Sequence, residues 1–417
     1  MKNMNEPLNE AVILTTDIHR YSRITANMTA EEIRDFMIHY LTTLQQLAKH
    51  GEYSADEFEP FAGDASIAIF RQKAGQDPRE KCRNALRVAL SIARAADAGK
   101  IPFTRMGIYA GEITEAEFNE TTLRFGNCFA AATRLEQLCA YFGNTILMDR
   151  TIAMSQDEES PYIVAVGKVT PKNFEHPVHI FTIYKPGIHR CPESVAHSRL
   201  IDFIRLKNEG IEYFIGNEKK GIKSNFQLAE NKLREASTRF KGTTGQLDIA
   251  TLRILDYIHE NPDPADTFKV TGIAMDEKQG QGIGIRLLLL SQQLLKAFDH
   301  DFYYALIENT DWEVLFRIEW FDAGDIIIRY GDEPNGIYYL ARGKVRVQSS
   351  AGRFIAELAE GDIFGEMAYF SPDGKRSATV VAITDIAVRR ISTEDFKKTS
   401  ILHNLFSEIA RRRLRPV

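Results

Sequence analysis

The spacing of hydrophobic residues predicts an α+β fold in three blocks. Over 1–185, strand-like runs alternate with amphipathic helical stretches, whereas 186–297 is charged and helical throughout. From 298 to 417, short apolar or alternating runs are cut by glycines, the pattern of a small, jelly-roll-like β-roll. An apolar content of 44% supplies a core for each block, and 417 residues exceed one ordinary domain.

In the first block, Val12 to Thr16 is an apolar strand ending at Asp17. Glu31 to His50 is an amphipathic helix with Ile33, Phe36, Met37, Tyr40, Leu41, Leu44 and Leu47 on one face. Phe58 to Phe61 and Ser66 to Phe70 flank Gly63-Asp64 as a hairpin. A helix over Arg79 to Ala96, a strand over Arg105 to Gly111 and a helix over Cys128 to Phe142 follow. The second block holds helices at Val195 to Asn208, Phe226 to Phe240, Leu247 to Glu260 and Gly284 to Ala297. It carries no recognisable chemistry and no fixed-period repeat, so a dimerising or force-transmitting connector is expected. In the third block, Ile326 to Ile328, Gly336 to Leu340 and Lys344 to Val347 are short strands punctuated by Gly331, Gly343 and Gly352.

A net charge of −5 is small for this length and indicates no general polyanion-binding surface. Cys82, Cys128, Cys139 and Cys191 lack metal-ligand spacing and read as reduced, small hydrophobes. The N-terminal residues show no charged-then-apolar signal layout, and Ile283 to Leu295 is too short and polar to span a bilayer, so a cytoplasmic protein without membrane partners is expected. Phe396, Leu402, Leu405, Phe406 and Ile409 form an apolar packing stripe on a final helix. With Val417 shortly beyond it, no helix-turn-helix and no nucleic-acid partner are expected, and Arg411, Arg412, Arg413 and Arg415 complement the helix dipole.

The densest chemistry lies in Ile363 to Ala382, IFGEMAYFSPDGKRSATVVA. Phe364, Gly365, Glu366, Met367 and Ala368 make a glycine-acid turn, and Arg376, Ser377 and Ala378 follow ten residues after Glu366. One cation, one carboxylate and several backbone N–H groups are what a cyclic nucleotide requires. Arg376 would pair with the phosphate through its planar fork, Glu366 would accept from the ribose 2'-hydroxyl, and Gly365 lets the backbone approach. Lys375 is the weaker anchor. Together with AGDIIIRYGDEPNGIYYLARGKVRV, AELAEGDIFGEMA and KRSATVVAITDIAVRRISTEDF, this segment resembles the cyclic-nucleotide-binding domains of catabolite activator protein and of kinase regulatory subunits. The resemblance implies cAMP or cGMP as a regulatory ligand. The Ser377 hydroxyl leaves both bases open.

Asp17 and Asp64 sit where neighbouring hairpins bring carboxylates together, as a Mg²⁺ site or as two turn-capping aspartates. LTTDIHRYSRIT, FAGDASIAIF, RMGIYAGEI, FGNCFAAATRLEQLCAYFGNTILMD and VGKVTPKNFEHPVHIFTIYKP resemble, in order, segments of class III nucleotidyl cyclases. That resemblance implies a ferredoxin-like catalytic domain and a homodimer. It also implies Mg²⁺ or Mn²⁺ on Asp17 and Asp64, a nucleoside triphosphate substrate, Arg134 for the transition state and Lys172 on the triphosphate. Four positions depart from the family: Pro60 and Leu123 stand where base-selecting polar residues are expected, Ala130 where an asparagine is, and Arg20 where a loop glycine is. Arg20 and Arg124 are the available replacement cations. Two readings follow: an atypical cyclase regulated by cyclic nucleotide at its C-terminal domain, or a cyclic-nucleotide receptor whose cyclase-like domain is an inactive dimeric scaffold or triphosphate sensor.

Overall fold

The computed structural model describes residues 9–49, 53–61, 63–73, 75–118, 121–171, 173–262, 266–275 and 310–413. The chain divides into two units between Asp276 and Glu277. The fold class is α+β.

Strand β1 (Asn9–Ile18) is the centre of the first unit. It is followed by helices α1 (Tyr21–Thr25) and α2 (Ala30–Lys49), strands β2 (Glu57–Phe61) and β3 (Ala65–Arg71), helix α3 (Glu80–Asp97) and the long strand β4 (Thr104–Phe118). β1 pairs antiparallel with β3 on one side and β4 on the other, and β2 pairs with β3. The resulting order β4-β1-β3-β2, with α2 and α3 as crossovers, is the ferredoxin-like arrangement. β1 is apolar from Ala11 to Leu14, where both its faces are covered. Val12 and Leu14 join Tyr40, Leu44, Leu86 and Leu90 from α2 and α3. Ala11 and Ile13 face the opposite core, with Ala132 from helix α4 (Asn127–Phe142).

The strand expected to end at Gly111 continues to Phe118, where β5 (Thr121–Phe125) folds back on it as a ribbon. Gly107 of β4 is where α4 touches down: a Cβ there would lie 2.0 Å from the Ala132 carbonyl oxygen. Beyond α4, β6 (Ile146–Asp149) runs parallel to β4, then come α5 (Arg150–Met154), β7 (Ile163–Pro171) and β8 (Val178–Ile183). β8 joins β6 to β7 in antiparallel pairs.

The expected connector does not stand apart as far as Asp276. Helices α6 (His197–Ile215), α7 (Phe226–Thr244), α8 (Ile249–Glu260) and α9 (Asp266–Thr271) belong to the first unit, and β9 (Ile273–Met275) adds to the β7 edge. Val164 and Tyr184 share a core with Leu200, Phe203, Ala236 and Phe240. Helix α6 overruns its expected end at Asn208 because that side chain does not cap it. Asn208 instead bonds the β7 backbone, accepting from Ala165 N at 2.7 Å and donating to Ile163 O at 3.1 Å. A buried ion pair, Lys207 Nζ to Asp248 Oδ2 at 2.7 Å, ties α6 to the start of α8. The helix expected over Gly284 to Ala297, and the boundary at 298, lie outside the described residues.

The second unit is the β-roll. Its strands are β10 (Phe316–Phe321), β11 (Ile326–Ile328), β12 (Gly336–Arg342), β13 (Lys344–Gln348), β14 (Phe354–Ala359), β15 (Ile363–Phe364), β16 (Thr379–Ala382) and β17 (Ile386–Ser392). They form two antiparallel sheets, β10-β17-β12-β15 and β11-β16-β13-β14. The apolar stripe expected on one helix is divided between two, with Phe396 on Thr393–Lys398 and the others on Ser400–Arg413. All five side chains are buried with Trp312 and Ile337. Among the described residues no helix is long and apolar enough to cross a membrane, and the four cysteines are buried thiols.

Candidate functional site

In the second unit, the turn after β15 and the approach to β16 face one another across a cavity of about 390 Å³. Phe364, Gly365, Glu366, Met367, Ala368, Arg376, Ser377 and Ala378 all line it. Gly365 takes φ +88°, and a Cβ there would lie 2.8 Å from Arg376 Nη1, so this turn requires glycine twice over. After it, Met367 to Tyr369 make a single 3₁₀ turn. The Arg376 backbone is clamped to the turn after β11: its N donates to Asp332 O at 3.0 Å, and Gly331 N donates to its O at 2.9 Å.

Glu366 is fully buried and Arg376 is 4% exposed. The guanidinium is held by neutral oxygens. Nη1 donates to Gly365 O at 2.7 Å, and Nη2 donates to Asn335 Oδ1 at 2.7 Å and Gly336 O at 2.9 Å. Among the described residues no carboxylate forms an ion pair with it. Burial pulls its pKa below the ordinary arginine value, only partly offset by nearby groups that include Glu366. A fixed, desolvated cation without an ion-paired partner is a site for an anion. Lys375, in contrast, is exposed.

Asn335 is the residue the sequence did not disclose. Its Oδ1 accepts from both Arg376 and the Tyr338 hydroxyl, the latter at 3.1 Å, and its backbone O accepts from Arg390 Nη1 at 2.8 Å. Tyr338 stacks on Phe364 with ring centres 5.1 Å apart. The PNG turn before β12 was the available signal, but a contact 41 residues from Arg376 has no local pattern.

In the first unit the β1–β3 register sets Thr16 opposite Ser66, so Asp17 comes beside the Gly63-Asp64 turn. Thr16 and Ser66 share a hydrogen bond of 2.7 Å, and the two aspartate side chains meet. Burial first, and the Asp17 charge second, push the Asp64 carboxyl up to about 6. Arg105, opposite Asp17 on β4, donates to Asp17 Oδ2 at 2.5 Å and pairs through Nε with Glu136 Oε1 at 3.0 Å. Burial pushes Glu136 up to about 7 against the pull of Arg105. Among the described residues no group of three or more acidic, histidine or cysteine side chains converges as a metal shell.

Arg134 is not joined to that pair by any hydrogen bond or ion pair. It lies two residues before Glu136, roughly 200° around the helix, and donates to Gln137 Oε1 at 2.7 Å. Lys172 lies outside the described residues. Pro60, Leu123 and Ala130 are exposed. Arg20 takes the left-handed φ of 63° that a glycine would adopt, so the loop retains a glycine-type backbone under a different side chain. Arg124 is already engaged: it pairs with Glu57, with Glu59 at 2.8 Å and with Glu115 at 3.3 Å. A phosphate would have to compete with these three carboxylates for it.

Residues 318–400 match the cyclic nucleotide-binding domain family. Human cGMP-dependent protein kinase 2 is 34% identical over 119 residues, 27% of this chain and 15% of the kinase. The cyclic AMP receptor protein of Thermus thermophilus is 33% identical over 106 residues, 23% of this chain and 49% of that protein. The match thus spans 15% of the length of the kinase and of its mouse and rat counterparts. Among solved structures, the adenylyl cyclase CyaB from P. aeruginosa is similar with a TM-score of 0.37 at 18% identity, covering 43% of this chain and 96% of that one.

Proposed function

We propose that this protein is a cytoplasmic, homodimeric signalling protein that binds a cyclic nucleotide between Glu366 and Arg376, and that the bound ligand regulates a nucleotidyl cyclase in its first unit. The buried Arg376 guanidinium, fixed by neutral oxygens in the lining of the cavity, carries the binding half of this reading. Its fork meets the cyclic phosphate and Glu366 accepts from the 2'-hydroxyl. The named ligands of the relatives support the same chemistry, with cAMP and cGMP as the first ligands to try.

The cyclase half rests on Asp17 and Asp64. Two touching carboxylates, one pushed up to about 6 by burial and by its neighbour's charge, fit a divalent cation whose remaining ligands are triphosphate oxygens and water. Bound there, Mg²⁺ or Mn²⁺ would neutralise the leaving pyrophosphate and acidify the 3'-hydroxyl. Arg105 holds Asp17 against β4 and keeps a positive charge beside the incoming phosphates. Arg134, directed away from its own chain's aspartates, would serve the site of the second subunit. Lys172 would bind the triphosphate.

A second reading, a receptor whose first unit is catalytically silent, is favoured by the capture of Arg124 by three carboxylates beside the exposed Pro60 and Leu123. Losing one positioned polar group commonly costs about 2.7–4 kcal/mol of transition-state stabilisation. The test is to incubate the chain with ATP, GTP, CTP and UTP plus Mg²⁺ or Mn²⁺, with and without cAMP or cGMP, and to search for cyclic mononucleotides by mass spectrometry. The cyclase reading predicts a product that Asp17→Ala abolishes. No product under any condition, with cyclic-nucleotide binding retained, selects the receptor.

A further inference from the structure

The cavity is lined by two unlike sets of side chains. Its polar side chains, Glu366, Arg376 and Ser377, all come from one segment between β15 and β16. The wall supplied by the β11-β16-β13-β14 sheet is aliphatic: Ile328, Val347, Ala356, Leu358 and Val380, with Ile355 of β14 at the rim, 54% exposed. A ligand that places its phosphate and ribose on Arg376 and Glu366 lays its base over this aliphatic wall. There the only remaining side-chain hydrogen-bonding group among the described lining residues is the Ser377 hydroxyl.

We infer, building on the cyclic-nucleotide reading above, that this pocket selects the 3',5'-cyclic phosphate and ribose and discriminates weakly among bases. Recognition by shape over an apolar wall and recognition by buried polar groups differ greatly in power. An apolar surface separates similar ligands by roughly 10–200-fold, whereas a site that leaves buried donors or acceptors unpaired with the wrong ligand reaches 10⁴–10⁵. Among the described residues the side chains of the aliphatic wall have no such groups to leave unpaired. A purine covers more of the wall than a pyrimidine, so the residual preference runs with base size rather than with the pattern of amino and carbonyl groups.

The experiment is calorimetric titration of the full chain with the adenine, guanine, cytosine and uracil 3',5'-cyclic monophosphates, with 5'-AMP as the acyclic control. The expected result is dissociation constants for the four cyclic ligands within about 100-fold of one another, adenine and guanine within about tenfold, and all much tighter than 5'-AMP. Leu358→Ala weakens all four by a similar factor, and Ser377→Ala changes their ratios by less than about tenfold. A preference beyond about 10³-fold for one base overturns the inference while leaving the pocket reading intact. Failure of all four cyclic ligands to bind overturns the pocket reading itself.

Discussion

Asn335 helps to hold Arg376, the arginine proposed to meet the phosphate, because its side-chain oxygen is shared between Arg376 and Tyr338. Asn335→Ala should leave the fold intact and weaken cyclic-nucleotide binding by about tenfold to a hundredfold, the range for a hydrogen bond to a charged group, measured by calorimetry. Unchanged affinity would remove Asn335 from the site. The pocket residues were legible in the sequence because they are clustered within one short segment, where glycine, acid and arginine stand at fixed spacing. Asn335 and Arg105 were not, because their roles arise from strand pairing across distant residues. His189 is a second case. Buried beside Asn144, Thr145 and Tyr184, its ring is pushed down to about 3, chiefly by burial and then by the charge of Arg190. The unfolded chain therefore takes up the proton first. Stability from this group is complete above about pH 6.5 and falls by about 1.4 kcal/mol per pH unit below it, towards pH 3. Urea unfolding at about pH 7 and about pH 5.5 should show a loss in the wild type that is smaller in His189→Asn.

At the scale of elements, the β2–β3 hairpin was readable from the residues flanking Gly63-Asp64, and the pairing of β1 with β3 then brings Asp17 to Asp64. The β4–β5 ribbon was less so, since Thr114 to Phe118 mixes acids with apolar residues and is fixed in place by Arg71 and Arg124 on Glu57 and Glu115. Helices α6 to α8 were foreseen as helices, but their attachment to the sheet depends on side chains that composition cannot pair. Lys207 and Asp248 are fully buried at 2.7 Å, and Asp248 also accepts from Tyr184 at 2.6 Å and Thr251 at 2.5 Å. Lys207→Met strands that carboxylate and should destabilise the first unit by about 3–5 kcal/mol in urea unfolding. Adding Asp248→Asn should restore part of the loss, since it removes the stranded charge while the amide oxygen still accepts from one of the two hydroxyls and its NH2 can donate to the other. A neutral Lys207→Met would show that the pair does not bind the helices to the sheet.

Across the whole molecule, two units of different chemistry share one chain: a ferredoxin-like sheet with a carboxylate pair, and a β-roll with a buried guanidinium held by neutral oxygens. Regulation of one by the other requires the ligand to bind two states of the chain with different affinity. That requirement makes the β-roll pocket the premise of both functional readings, since the cyclase and the silent receptor differ only in what the first unit does afterwards. The measurement that tests this premise most directly is calorimetric titration of cAMP and cGMP into the wild-type chain and Arg376→Ala. Saturable binding by the wild type, weakened by several kcal/mol in the variant as the desolvated phosphate loses its counter-charge, is the predicted result. Equal affinity in the two proteins would contradict the assignment of the pocket.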